Sequence, residues 1–202
     1  MKRYSILETD AMAAVLKEDG VLAVPTDTVY GLCARMNSME AQANLARAKN
    51  RPKEKSFPVM CSSLDQIRSV AKVNKRAERV INTFMPGPLT IVLPVQHDLP
   101  SFITNGKKTI AVRMASSKAL EELIEKTGEP VFMTSANQSG RDVCRTPEEI
   151  EEACPLAAGI MEGSPSFGKA STIIDACNDE IVVLRSGPLT KEEIEEVWND
   201  ER

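Results

Sequence analysis

Val21-Leu-Ala-Val-Pro-Thr-Asp-Thr-Val-Tyr-Gly31 reads as a short apolar strand that stops at Pro25 and passes into a loop of small hydroxyls and one phenol. Downstream, Ser38 is placed to cap a helix that runs through Ala41, Leu45 and Ala48 to about Lys49. The same alternation continues along the chain. Apolar strand-like runs fall at 57–61, 89–93, 110–114, 130–134, 171–175 and 181–185. Helical patterns start near Ser63 and Asn74, a third contains Leu120, Leu123 and Ile124, and two capping boxes open at Thr146 and Thr190. Strands alternating with helices give an α/β fold. In open sheets of that class ligands sit beyond strand ends, so the polar loop at 25–31 is a candidate site.

Length and composition narrow the class. The chain has 202 residues, 42% of them hydrophobic, which suits one globular unit burying roughly 70% of its unfolded surface. No run approaches the ~18 apolar residues of a membrane span, and the start MKRYSILETD lacks the apolar core of a signal peptide. A cytoplasmic protein without membrane contact is expected. The net charge of −4 conceals a division. Residues 1–113 hold 17 Lys and Arg against 10 Asp and Glu, and 114–202 hold 8 against 19. The acidic excess sits largely behind the caps at Thr146 and Thr190, where carboxylates favour the helix dipole. Five scattered cysteines without a Cys-x-x-Cys pair argue for reduced thiols and against structural zinc. The one histidine, His97, lies between prolines and reads as a loop residue, so His-rich metal sites are excluded.

The basic excess has a focus. In Arg47-Ala-Lys-Asn-Arg-Pro-Lys-Glu-Lys55 every second residue is basic. An extended chain would put Arg51, Lys53 and Lys55 on one face as an anion clamp; alternatively Arg47 and Lys49 serve the helix C-terminus and the rest is solvated. Thr134-Ser-Ala-Asn-Gln-Ser-Gly140 and Gly168-Lys-Ala-Ser-Thr172 add further polar loops beside strands, and Arg113 and Arg185 end strands of their own. Gly163-Ser-Pro-Ser-Phe-Gly-Lys-Ala170 mimics a phosphate loop. However, Ala170 replaces the required Ser or Thr, and Ser171-Thr-Ile-Ile-Asp175 is a β-branched run rather than the start of a helix.

Taken in order, Pro25-Thr-Asp-Thr-Val-Tyr-Gly-Leu32, Lys49-Asn-Arg-Pro52, Pro86-Gly-Pro-Leu-Thr90, Ala111-Val-Arg113, Ser135-Ala-Asn137, Ser171-Thr-Ile-Ile-Asp175 and Leu184-Arg-Ser-Gly-Pro188 resemble the YrdC-like threonylcarbamoyl-AMP synthases. The resemblance covers residues 8 to 190 and implies a twisted open mixed β-sheet flanked by helices around a basic concave cavity. The length is similar to that of the family's single-domain form, which implies one domain over 1–202. The implied reaction joins L-threonine, bicarbonate and ATP, with Mg²⁺ on the phosphates, into threonylcarbamoyl-AMP and pyrophosphate. A downstream tRNA threonylcarbamoyl transferase complex would use the product. By position, the resemblance implies L-threonine contacts at Thr28, Met60, Arg113, Met133 and Ser171. It implies ATP contacts at Arg51, Lys55, Thr109, Ser135, Asn137, Val143, Cys144 and Arg185, with Arg51 and Lys55 also stabilising charge in catalysis. Met60 stands where some relatives have histidine, and Lys49 gains no fixed role.

This chemistry needs no protein nucleophile, because threonine's amine supplies the first and the resulting carbamate the second; positioning and charge stabilisation remain for the protein. Two alternatives stay open on the sequence: an RNA-binding protein gripping a backbone or tRNA through its basic concavity, and a carbamoyl-transferring relative with another acceptor. With 4% aromatic residues, a base-stacking platform for single strands is not expected.

Overall fold

The computed structural model describes residues 1–52, 54–96 and 99–200. Among these residues one ten-stranded mixed sheet runs through the molecule. Its strands are β1 (Lys2–Tyr4), β2 (Leu22–Pro25), β3 (Tyr30–Arg35), β4 (Val59–Met60), β5 (Leu89–Pro94), β6 (Thr109–Arg113), β7 (Val131–Ser135), β8 (Gly159–Met161), β9 (Thr172–Asp175) and β10 (Val182–Arg185). They lie side by side in the order β1-β8-β2-β3-β7-β4-β6-β5-β9-β10. The helices are α1 (Thr9–Lys17), α2 (Met39–Lys49), α3 (Leu64–Val70), α4 (Lys75–Phe84), α5 (Ser101–Thr104), α6 (Lys118–Thr127), α7 (Pro147–Ala153) and α8 (Lys191–Trp198).

Side chains alternate across the pleat and build a core on each face. Leu32 and Ala34 of β3 and Phe132 of β7 join the larger core with α2, α3, α4 and α8. Cys33, Val131 and Met133 point the other way and pack with α1 and α6. The helices begin where their caps dictate. Ser38, Ser63, Asn74, Ser117, Thr146 and Thr190 each accept a backbone N–H from three residues ahead. Of the two expected capping boxes only that at Thr190 is complete. Glu149 turns its carboxylate to the N–H of Arg145 instead of Thr146. No helix among the described residues is long and apolar enough to cross a membrane.

Two expectations change in ways that matter for the site. The loop after β2 does not lead to a helix: it is the turn of a hairpin, with Leu22–Pro25 paired antiparallel to Tyr30–Cys33. Lys55 N–H bonds Pro52 O at 3.2 Å and closes a turn, so Arg51 and Lys55 are not brought to one face by an extended run. Lys53 and His97 lie outside the described residues.

Candidate functional site

A cavity of about 350 Å³ opens where the strand ends converge. The hairpin turn 26–29, the C-terminus of α2, the loop after β7 and the β9–β10 segment meet there. Thr28, Arg51, Lys55, Met60, Arg113, Met133, Ser135, Asn137, Ser171 and Arg185, all expected from the sequence, line this one space. Val143 and Cys144 line an adjoining cavity of about 1360 Å³, and Val29 and Ala170 stand between the two. Thr109 reaches neither. It starts the strand that Arg113 ends, opposite Pro94, and four residues of strand put roughly 13 Å between them. The expected ATP contact at Thr109 is therefore not brought to the site.

Arg113 is held before any ligand arrives. Its Nε donates to Gly87 O at 2.9 Å, Nη1 to Thr28 Oγ1 at 2.9 Å and Nη2 to Asp27 Oδ1 at 2.5 Å. Among the described residues one hydrogen on each Nη is left for a ligand such as a carboxylate. Burial pushes this guanidinium below its ordinary value, Asp27 pulls it back up, and nearby Arg185 adds to the fall. Asp27, within the polar loop at 25–31, is the buried counter-ion of the site. Tyr30, the expected phenol of the ligand edge, is fully buried and donates to Gly163 O at 2.5 Å. The false phosphate loop that begins there is pinned to Asp27 O by the N–H groups of Ser166 and Phe167, and leads into β9 rather than a helix.

Lys49 resolves the two readings of the basic segment. Arg47 is solvated beside Glu40, whereas Lys49 is 4% exposed. Its ammonium donates to Ser135 O at 2.6 Å, Asn137 Oδ1 at 2.7 Å and Asn137 O at 3.2 Å. The same loop caps the end of α2: Ser139 N–H bonds Lys49 O and Gln138 Nε2 bonds Ala48 O, satisfying carbonyls that a helix leaves unpaired. Asn137 spends its amide hydrogens on Gln138 O and Arg141 O, so its side chain shapes the loop. Burial, then the charge of Arg51, push Lys49 down to about 8. Arg51 itself lies over the Phe57 ring at 4.6 Å and donates to Lys55 O and Ser56 O. At the floor, Gly31 faces Ser135 across the hairpin edge. A Cβ there would come within 2.3 Å of Met133 Sδ and 3.2 Å of Thr134 O, so a side chain at this position would displace Met133.

On the far wall Ser171 Oγ accepts from Arg185 Nη2 at 2.9 Å, Ser171 O accepts from Arg185 Nε at 3.0 Å, and Thr90 Oγ1 lies 2.8 Å from Ser171 Oγ. Burial lowers the Arg185 and Arg51 guanidinium values. Five basic side chains, Lys49, Arg51, Lys55, Arg113 and Arg185, thus line a space with hydroxyl, amide and thioether walls, an arrangement that receives a small polyanion. Among the described residues no group of three or more His, Cys, Asp or Glu could hold a metal ion, no Asp or Glu lines the cavity, and Asp27 behind it has one carboxylate oxygen on Arg113. The donor set does not fit a protein-held Mg²⁺.

The model of the Sua5/YciO/YrdC family, described as "Telomere recombination", matches residues 14–187. A curated relative from Bacillus subtilis (strain 168), named threonylcarbamoyl-AMP synthase, is 35% identical over 92% of this chain and 55% of its own. One of the same name from Hydrogenovibrio crunogenus is 37% identical over 79% of this chain and 87% of its own. The chain thus spans a little over half of the former and most of the latter. The crystal structure of Pyrococcus abyssi Sua5 complexed with L-threonine superposes with a TM-score of 0.90 at 33% identity, covering 97% of this chain and 60% of that one. Cavity, fold and matched sequence agree: the chain belongs to the Sua5/YciO/YrdC family.

Proposed function

We propose that this chain joins L-threonine, bicarbonate and ATP into threonylcarbamoyl-AMP, releasing pyrophosphate and water, in the cytoplasm and as one domain. The observation that supports this most is the division of labour within one cavity. A pre-held arginine with two free hydrogens, Arg113, faces one side. Arg51, Lys55 and Arg185 supply positive charge on the others. The relatives' shared name fits that pairing of a carboxylate subsite with a phosphate subsite.

In this mechanism Arg113 and Thr28 orient the threonine carboxylate, while Met60 and Met133 pack against its side chain. The free amine attacks the carbon of bicarbonate, or the carbon dioxide it yields; by either route a C–N bond forms, one water is lost and the carbamate anion is left. A carbamate oxygen then attacks the α-phosphorus, and the bond to pyrophosphate breaks. Arg51, Lys55 and Arg185 hold the phosphates and the leaving charge, and being preorganised they need not reorient during the reaction. Mg²⁺ enters with ATP as part of the substrate. The adjoining cavity, with Val143 and Cys144, takes the nucleoside end, and the product passes to a tRNA threonylcarbamoyl transferase complex. Incubating the chain with ATP, threonine and ¹³C-bicarbonate tests this. Mass spectrometry is expected to find one labelled carbon in a nucleotide that also contains threonine; unlabelled AMP as the sole nucleotide product would count against the assignment.

A further inference from the structure

Thr90 is 4% exposed and lines the cavity, and among the described residues Ser171 is the one side chain that bonds its hydroxyl. It lies on β5 one step beyond the Ile91–Val112 pair, and so comes level with Arg113 on β6; on its other side β5 runs parallel to β9, which Ser171 precedes. Thr90 therefore stands between the arginine that faces a carboxylate and the arginine that faces phosphate.

The hydroxyls can be counted. Arg185 always donates to Ser171 Oγ, since a guanidinium has no acceptor. Thr90 and Ser171 then share two hydrogens, of which the 2.8 Å contact between them uses one. Among the described residues no acceptor takes the second, whichever hydroxyl carries it. The pair thus presents one O–H to the cavity, midway between the two anion subsites. An O–H placed there serves an oxygen of the ligand. Threonine's carboxylate belongs to Arg113 and the triphosphate to Arg51, Lys55 and Arg185. The oxygens left between them are those of the one-carbon substrate.

We propose that the Thr90–Ser171 hydroxyl pair holds the bicarbonate-derived oxygens, first as bicarbonate and then as the carbamate, with Thr90 as a specificity-determining residue for that substrate. The assignment rests on the proposed function. Its test is steady-state pyrophosphate release in carbon dioxide-depleted buffer, with bicarbonate, threonine and ATP each varied, for the wild-type chain, Thr90→Val and Thr90→Ser. Valine keeps the branched shape and removes the hydroxyl; serine keeps the hydroxyl. The KM for bicarbonate is expected to rise at least tenfold in Thr90→Val, with the KM for ATP within twofold, and to return to within threefold of wild type in Thr90→Ser. A bicarbonate KM within twofold of wild type in Thr90→Val, or equal losses with all three substrates, overturns the assignment while leaving the function intact. Should Thr90→Val melt far below wild type, Thr90→Ser decides: a bicarbonate KM more than tenfold above wild type in a chain of wild-type stability overturns it. Wild-type release that ignores bicarbonate overturns the function and the assignment together.

Discussion

Replacing Lys49 with methionine is expected to lower kcat/KM for threonine-dependent pyrophosphate release about a hundredfold. The ammonium is a buried tie between α2 and the 135–139 loop. Methionine matches its length but leaves Ser135 O and Asn137 O without that donor, while Asn137 Oδ1 keeps the Ser135 hydroxyl. Unsatisfied buried acceptors cost about 1–3 kcal/mol each; with partial relaxation, a total near 3 kcal/mol would lower the melting temperature by roughly 6–12 °C. The loop carries Ser135 into the cavity, and a shift of about 1 Å at a reacting site costs on the order of a hundredfold. Arg47→Met, two residues away but solvated beside Glu40, is expected to change neither rate nor melting by a measurable amount.

The same lysine sets a pH dependence whose two readouts have opposite signs. Its value is near 8 in the folded chain against 10.5 for the free side chain. Between those values the unfolded chain binds more protons than the folded one, so stability rises with pH across that window. Activity is expected to fall there instead, because a neutral amine has two hydrogens for the three oxygens that the ammonium ties. Bound phosphates offset the charge of Arg51, so the alkaline limb of kcat should lie above that of kcat/KM. Circular-dichroism melts and initial rates on the same samples from pH 7 to about 10 would expose both trends; a rate that falls in step with melting would refute this role.

Arg113→Lys is expected to raise the KM for threonine by about 30- to 150-fold while the KM for ATP stays within about threefold. Charge is conserved, but an ammonium cannot reproduce the planar fork that reaches Gly87 O, Thr28 Oγ1 and Asp27 Oδ1 together. Loss of the bidentate grip amounts to about 2–3 kcal/mol of binding. Lysine is the informative choice because Arg113→Ala would strand the Asp27 carboxylate in the interior, a defect of about 3–5 kcal/mol that confuses folding with binding. Equal effects on threonine and ATP would show that Arg113 does not sort the two substrates.

The elements with strong local signals were legible in the sequence. Ser38, Ser63, Asn74 and Thr190 announce helix starts through side chains that bond within three residues, and the apolar runs at 89–93 and 110–114 are buried strands. Strand β3 was hidden because its partner is adjacent in sequence and its glycine, Gly31, suggests a turn; only pairing with Ser135 shows that this glycine floors the cavity. Strands β1 and β8 have three residues each and are specified mainly by each other.

In the site, the order of short motifs was enough to gather most of the cavity, because each lies at a strand end and the topology brings those ends together. Roles that depend on a partner far away in the chain were not legible. Asp27 answers Arg113 across 86 residues, Lys49 answers Asn137 across 88 and Thr90 answers Ser171 across 81. Thr109 stands apart from the cavity for the converse reason: it shares a strand with Arg113 but starts it rather than ends it.

The most direct test of the central claim is pyrophosphate release from ATP with threonine, bicarbonate and Mg²⁺ each omitted in turn. A cavity with paired carboxylate and phosphate subsites predicts release in the complete mixture and a fall to background when either threonine or bicarbonate is left out, because the attacking carbamate needs both. Release that continues without threonine would contradict it.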